Sequence, residues 1–82
     1  MKYYFLMAIE KGDCNSMNNL AVYYEEIEKD YDMMKQYYLM AVEKGNIYSM
    51  YNLATYYKEI EKDYVKMKYY YLMAIKKSNT SE

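Results

Sequence analysis

Cys14 is the only thiol in the 82-residue chain, and a thiolate can attack carbon or grip a soft metal. It falls in the first turn of a predicted helix. Nothing nearby would use it: the chain has no histidine, and 33 residues on the matching position is Ile47. Cys14 therefore reads as a small, partly buried side chain. Glu25, Glu26, Glu28, Asp30 and Asp32 form an acidic run of the kind that could pair carboxylates or hold calcium. Their spacing matches no EF-hand loop, and the second copy breaks the run with Lys58 and Val65, which leaves a solvated helix end. Tyr23, Tyr24, Tyr37 and Tyr38 could stack on bases, but without a basic groove there is nothing to hold phosphate. They read as packing between helices. Asn19 and Asn52 could clamp a peptide backbone; lying beside the apolar stripe, they read instead as structural hydrogen-bonding groups.

Composition closes further routes to chemistry. Histidine, arginine, proline and tryptophan are absent, so there is no imidazole base near neutral pH and no guanidinium fork for phosphate or carboxylate. No enzyme activity, cofactor or metal is expected. The net charge is −1 with acids and lysines interleaved, which argues against nucleic acid and against an anionic membrane as partners. A single cysteine forms no internal disulfide and fits a reducing, cytoplasmic setting. The opening MKYYFLMAI looks like a weak signal peptide, yet it recurs as KQYYLMAV and KYYYLMAI, which marks it as a structural element. No apolar run approaches the ~20 residues of a membrane span.

The elements that must position these residues repeat every 33 positions. Residues 2–34 and 35–67 match at 22 of 33 positions without a gap, and residues 68–78 begin a third copy. Each unit carries two helical patterns. In the first, Met17, Leu20, Ala21, Tyr24 and Ile27 fall at i, i+3, i+4, i+7 and i+10, and Met50, Leu53, Ala54, Tyr57 and Ile60 repeat them. These A helices span about 14–28 and 47–61, each entered after a glycine (Gly12, Gly45) at the end of the preceding helix and a capping Asp13 or Asn46. The B helices span about 31–44 and 64–77, with Asp30 and Asp63 as N-caps and stripes of Tyr31, Met34, Tyr38, Ala41, Val42 and Tyr64, Met67, Tyr71, Ala74, Ile75. Residues 1–11 supply a further B helix. The expected fold is all-α: a right-handed α-solenoid of antiparallel helix pairs in the order B-A-B-A-B over residues 1–78, with a polar tail at 79–82.

The blocks GDCNSMNNLAVYY and GNIYSMYNLATYY, each followed by KDY and a YYLMA stretch, resemble Sel1-like repeats of the tetratricopeptide superfamily over nearly the whole chain. Ser16 and Ser49 stand at that pattern's small position, Ala21 and Ala54 where glycine is usual, and Met34 and Met67 where alanine is usual. The A-to-B connections lack the family's glycine pair and lean toward ordinary tetratricopeptide repeats. Both subclasses imply an adaptor or scaffold that binds proteins and has no chemistry of its own. The tyrosine-, asparagine-, lysine- and isoleucine-rich, arginine-free composition resembles arrays of large viruses of amoebae and of some protists; a viral origin would place the protein in a host cell.

Setting the two copies side by side separates framework from freedom. Four differing pairs, Asn15/Tyr48, Asn18/Tyr51, Val22/Thr55 and Glu25/Lys58, recur at i, i+3, i+7 and i+10, on the face opposite Leu20 and Ala21. The resemblance implies that this face lines the concave groove of the solenoid. Asn15, Asn18, Val22, Glu25, Tyr48, Tyr51, Thr55 and Lys58 are therefore the expected surface for a protein or peptide partner, with Tyr48 and Tyr51 as anchors. The contrasting reading is that exposed helix positions drift freely. A groove of roughly 20 Å across two A helices would hold about six extended residues and bind at micromolar strength. Two and a half units also leave terminal helices open, so an architectural segment that self-associates through its ends, or belongs to a longer array, is the alternative function.

Overall fold

A computed structural model describes residues 3, 6, 7, 9 and 12–80. Among them are four helices and no strand: α1 (Cys14–Tyr23), α2 (Tyr31–Glu43), α3 (Ile47–Tyr56) and α4 (Tyr64–Thr80). The expected helix at 1–11 lies mostly outside the described residues, although Tyr3, Leu6, Met7 and Ile9 have helical backbone. The chain divides into two compact units, Met1–Asn46 and Ile47–Glu82, each built on one helix hairpin.

Local chemistry sets the helix boundaries. Asp13 caps α1: its Oδ1 accepts from the Asn15 and Ser16 N–H groups at 3.0 and 3.4 Å, and its Oδ2 from the Ser16 hydroxyl at 3.1 Å. Asp30 and Asp63 cap α2 and α4 through the N–H groups of Met33 and Lys66, both at 3.1 Å. At the end of α2 the Gly45 N–H donates to the Val42 carbonyl and the Asn46 N–H to Ala41, a Schellman closure that needs positive φ at Gly45, found at 84°. Ser78 occupies the corresponding place in the third copy. Without a glycine to turn left-handed, α4 continues to Thr80, so Asn79 and Thr80 of the expected polar tail are helical.

Both A helices widen before they stop. α1 passes into a π-helical turn at Tyr24–Glu28 and α3 into another at Tyr57–Glu61. The Tyr24 carbonyl accepts from the N–H groups of Lys29 and Asp30, and the Tyr57 carbonyl from those of Lys62 and Asp63. Lys29 and Lys62 close these turns in the left-handed region, at φ 56° and 57°. A π turn advances less than 100° per residue. It carries Ile27 and Ile60 off the apolar stripe, leaving them 67% and 49% exposed, where a straight α-helix would have buried them.

Within the first unit, Tyr24 meets Tyr37 while Asn46 reaches back to Cys14 and Asn15, so α1 and α2 run antiparallel. Met17, Leu20, Ala21 and Tyr24 bury against Met34, Tyr38 and Ala41. In the second unit Met50, Leu53, Ala54 and Tyr57 are buried and α4 contributes Ala74, while Met67 and Tyr71 are half-buried and Tyr64 and Ile75 exposed. Burying a leucine such as Leu20 or Leu53 contributes about 1.5–3 kcal/mol. No helix among the described residues is long and apolar enough to cross a membrane.

Candidate functional site

The tyrosines form the same frame in both hairpins. Tyr24 stacks on Tyr37 with ring centres 5.8 Å apart, and Tyr57 on Tyr70 at 5.9 Å. Tyr23 and Tyr56 meet their stacked neighbours edge-on, at 5.6 and 5.3 Å. Each then donates its hydroxyl across the π turn, Tyr23 to Glu28 at 2.8 Å and Tyr56 to Glu61 at 2.6 Å. An i to i+5 bond suits a turn that itself closes from i to i+5. Burial, followed by the neighbouring Tyr57 and Tyr69, raises the pKa of Tyr70 above the ordinary tyrosine value.

Where the copies differ, the frame is rewired. The buried Tyr38 donates its hydroxyl to Glu25 Oε1 at 3.0 Å. Burial, then the charge and hydrogen bond of Glu25, then the charge of Glu26, raise its pKa strongly. In the second unit Lys58 replaces Glu25 and offers no acceptor. The Tyr71 hydroxyl lies instead 3.3 Å from Thr55 Oγ1, which donates to the Tyr51 carbonyl at 2.9 Å. Val22, at the position of Thr55, could not have served. Two of the four differing pairs thus follow the hydroxyl of a B-helix tyrosine, which free drift does not require.

The eight expected binding residues separate accordingly. On α1 and its turn, Asn15 is exposed but its Oδ1 accepts from Asn46 Nδ2 at 3.0 Å, Asn18 and Val22 are half-buried, and Glu25 is held by Tyr38. On α3 and its turn, Tyr48 and Tyr51 are 70% and 40% exposed, and Thr55 and Lys58 are exposed too. The Tyr51 ring leans on Tyr71, centres 6.0 Å apart at 54°. Tyr71 is the residue that sequence reasoning left out of this patch; the paired change of Val22 to Thr55 and Glu25 to Lys58 was its signal. The structure brings Tyr51 and Thr55 together with Tyr71, while Tyr48 and Lys58 are exposed on α3 and its turn. The first four form a polar face largely occupied by its own unit.

Cys14, Glu25, Glu28 and Asp30 have structural occupations. Cys14 is half-buried, with its Sγ accepting from Asn46 Nδ2 at 3.4 Å. In the acidic run, Glu25 and Glu28 accept from tyrosines and Asp30 caps α2. Asn19 is exposed and Asn52 half-buried. No group of His, Cys, Asp or Glu suited to a metal occurs among the described residues. Compared with known protein families, with curated proteins and with solved structures, the chain matches none.

Proposed function

We propose that the chain is a non-catalytic protein-interaction module of Sel1-like or tetratricopeptide-like design, binding a peptide or partner surface on the A-helix face of its second unit. The observation that carries this reading is the pair Tyr48 and Tyr51, large rings left open on α3 where the first copy has Asn15 and Asn18. Aromatic rings at low entropic cost are the usual anchors of an interface. Tyr71 supports Tyr51 from behind, which limits the rotamer freedom that binding would otherwise remove. Lys58 adds one cation, so a segment with apolar side chains and a carboxylate fits best. Stacking of the two hairpins into a solenoid belongs to the same reading, supported by the 33-residue repeat.

The test is affinity capture from the native cell, followed by titration of the captured partner against the wild type and the Tyr48→Ala/Tyr51→Ala variant. The expected dissociation constant is on the order of micromolar, weakened about thirtyfold or more by the double change. Both side chains are exposed, so helix content should not alter. Equal binding by the two proteins would remove the α3 face as the site.

A further inference from the structure

The second unit carries an unbroken run of aromatic rings that leads from solvent into its core. Tyr69 is 58% exposed and meets Tyr70 edge-on, with ring centres 4.9 Å apart at 85°. Tyr70 stacks on Tyr57 at 5.9 Å and 6°, and Tyr57 meets Tyr56 at 5.3 Å and 66°. All three spacings are those of rings in direct contact. Tyr56 ends the run: it is 4% exposed, and its hydroxyl donates to Glu61 Oε2 at 2.6 Å. The first unit repeats the inner three rings and their acceptor with Tyr37, Tyr24, Tyr23 and Glu28, but Gln36 stands where the second unit has Tyr69. The frame forms without an outer ring, so packing does not call for Tyr69.

Phenols in contact pass an electron from one to the next, whereas an oxidised phenol keeps the hole only where its proton can leave. A carboxylate already bonded to the hydroxyl takes that proton without any rearrangement. Tyr56 meets this requirement at Glu61. Tyr70 is a poor resting place, because burial, then Tyr57 and Tyr69, raise its pKa and hold its proton.

We infer that the second unit is a radical sink, in which an oxidant acting at Tyr69 draws an electron through Tyr70 and Tyr57 from Tyr56, while the Tyr56 phenolic proton passes to Glu61. The oxidant is a one-electron acceptor of the carbonate-radical class, which leaves as its reduced anion. At Tyr56 the O–H bond breaks and an O–H bond forms on Glu61 Oε2, giving a neutral phenoxyl radical and a neutral carboxylic acid. A one-electron donor of the ascorbate class reverses the step through the same rings, and the proton returns to Tyr56. Burial keeps the radical from coupling with a tyrosine of another molecule. None of Tyr48, Tyr51 and Lys58 takes part, so the relay stands or falls apart from partner binding on α3.

The test is laser flash oxidation of the full chain by tris(bipyridine)ruthenium(III), generated by light with a cobalt(III) ammine as electron acceptor. The tyrosyl radical is read by its absorbance and by electron paramagnetic resonance. The expected result is a radical fraction whose decay is independent of protein concentration and whose formation slows in heavy water, since the proton moves with the electron. Glu61→Gln keeps an acceptor for the hydrogen bond but takes no proton, and should abolish that fraction. Tyr69→Phe keeps a ring against Tyr70 but closes the entry, and should abolish it too. Both side chains are exposed, so helix content should match the wild type. Glu28→Gln, in the first unit, should leave the fraction unchanged. A radical that decays only by coupling between molecules overturns the proposal. So does a persistent fraction that survives Glu61→Gln or Tyr69→Phe, or one that is lost with Glu28→Gln.

Discussion

Replacing Lys29 or Lys62 with glycine should stabilise the protein, against the usual rule that glycine weakens a helical chain. Both lysines sit at φ near +56°, where the Cβ of an L-residue crowds the following carbonyl, at a cost of about 1–2 kcal/mol. Glycine removes that cost and returns about 0.5–1 kcal/mol to the unfolded chain as backbone entropy. The net gain is about 0.5–1 kcal/mol at each site. The hydrogen bonds survive, because the N–H at position 29 or 62 still reaches the Tyr24 or Tyr57 carbonyl. The two sites lie in separate compact units and share no partner, so their effects should add. For a chain of this size the gain corresponds to roughly 3–6 °C in Tm per site. Thermal melts and urea titrations of both single variants and the double variant measure it, with an unchanged m-value showing that the gain is one of stability. Gly45→Ala is the converse control, expected to cost about 1 kcal/mol at φ 84°. A lower Tm in either lysine variant would refute the account of these turns as strained.

Glu25→Ala removes the acceptor from a buried hydroxyl and should cost about 1–3 kcal/mol; Tyr38→Phe in the same chain should recover much of it, which a double-mutant cycle by urea unfolding would show. Glu25→Gln keeps an acceptor and should cost less. The raised pKa of Tyr38 makes stability fall in alkali: above the ordinary tyrosine value of 10.0 the unfolded chain releases a proton that the folded chain retains. Its contribution is therefore complete below that pH and lost as pH rises toward the folded value, so melts above about pH 10 should fall less steeply for Tyr38→Phe than for the wild type. Leu53→Ala empties a fully buried position and should cost about 2–5 kcal/mol, a large share of a small unit's margin, read from the same urea titrations.

The helices were legible because period and punctuation agreed. Leu20 and Leu53 recur on a 3.6-residue stripe, Asp13, Asp30 and Asp63 cap where aspartate should, Gly45 ends α2, and both glycines take positive φ. Ile27 and Ile60 misled because a stripe is projected on the assumption of a uniform α-helix, and the widening arises from how Tyr24 and Tyr57 share their carbonyls. That is a backbone event with no residue type as its sign. The end of α4 was readable in principle, since Ser78 lacks the conformational freedom of Gly45. At the candidate site, Asn15 is exposed, whereas Glu25, expected in solvent, reaches Tyr38. A carboxylate on a long stem sweeps far enough to leave the face on which its Cα lies.

The π turns also bear on how such a unit could change length. A turn that closes from i to i+5 holds one residue more than an α turn, and in both copies the isoleucine within it stays largely in solvent. Deleting Ile27 or Ile60 would let the turn close as an ordinary α-helix while Leu20, Ala21 and Tyr24, or their mates, keep their places. The 33-residue unit thus carries one position of slack, placed at the hairpin corner. Insertions and deletions in related arrays should gather there, where the chain can absorb them without shifting a core contact.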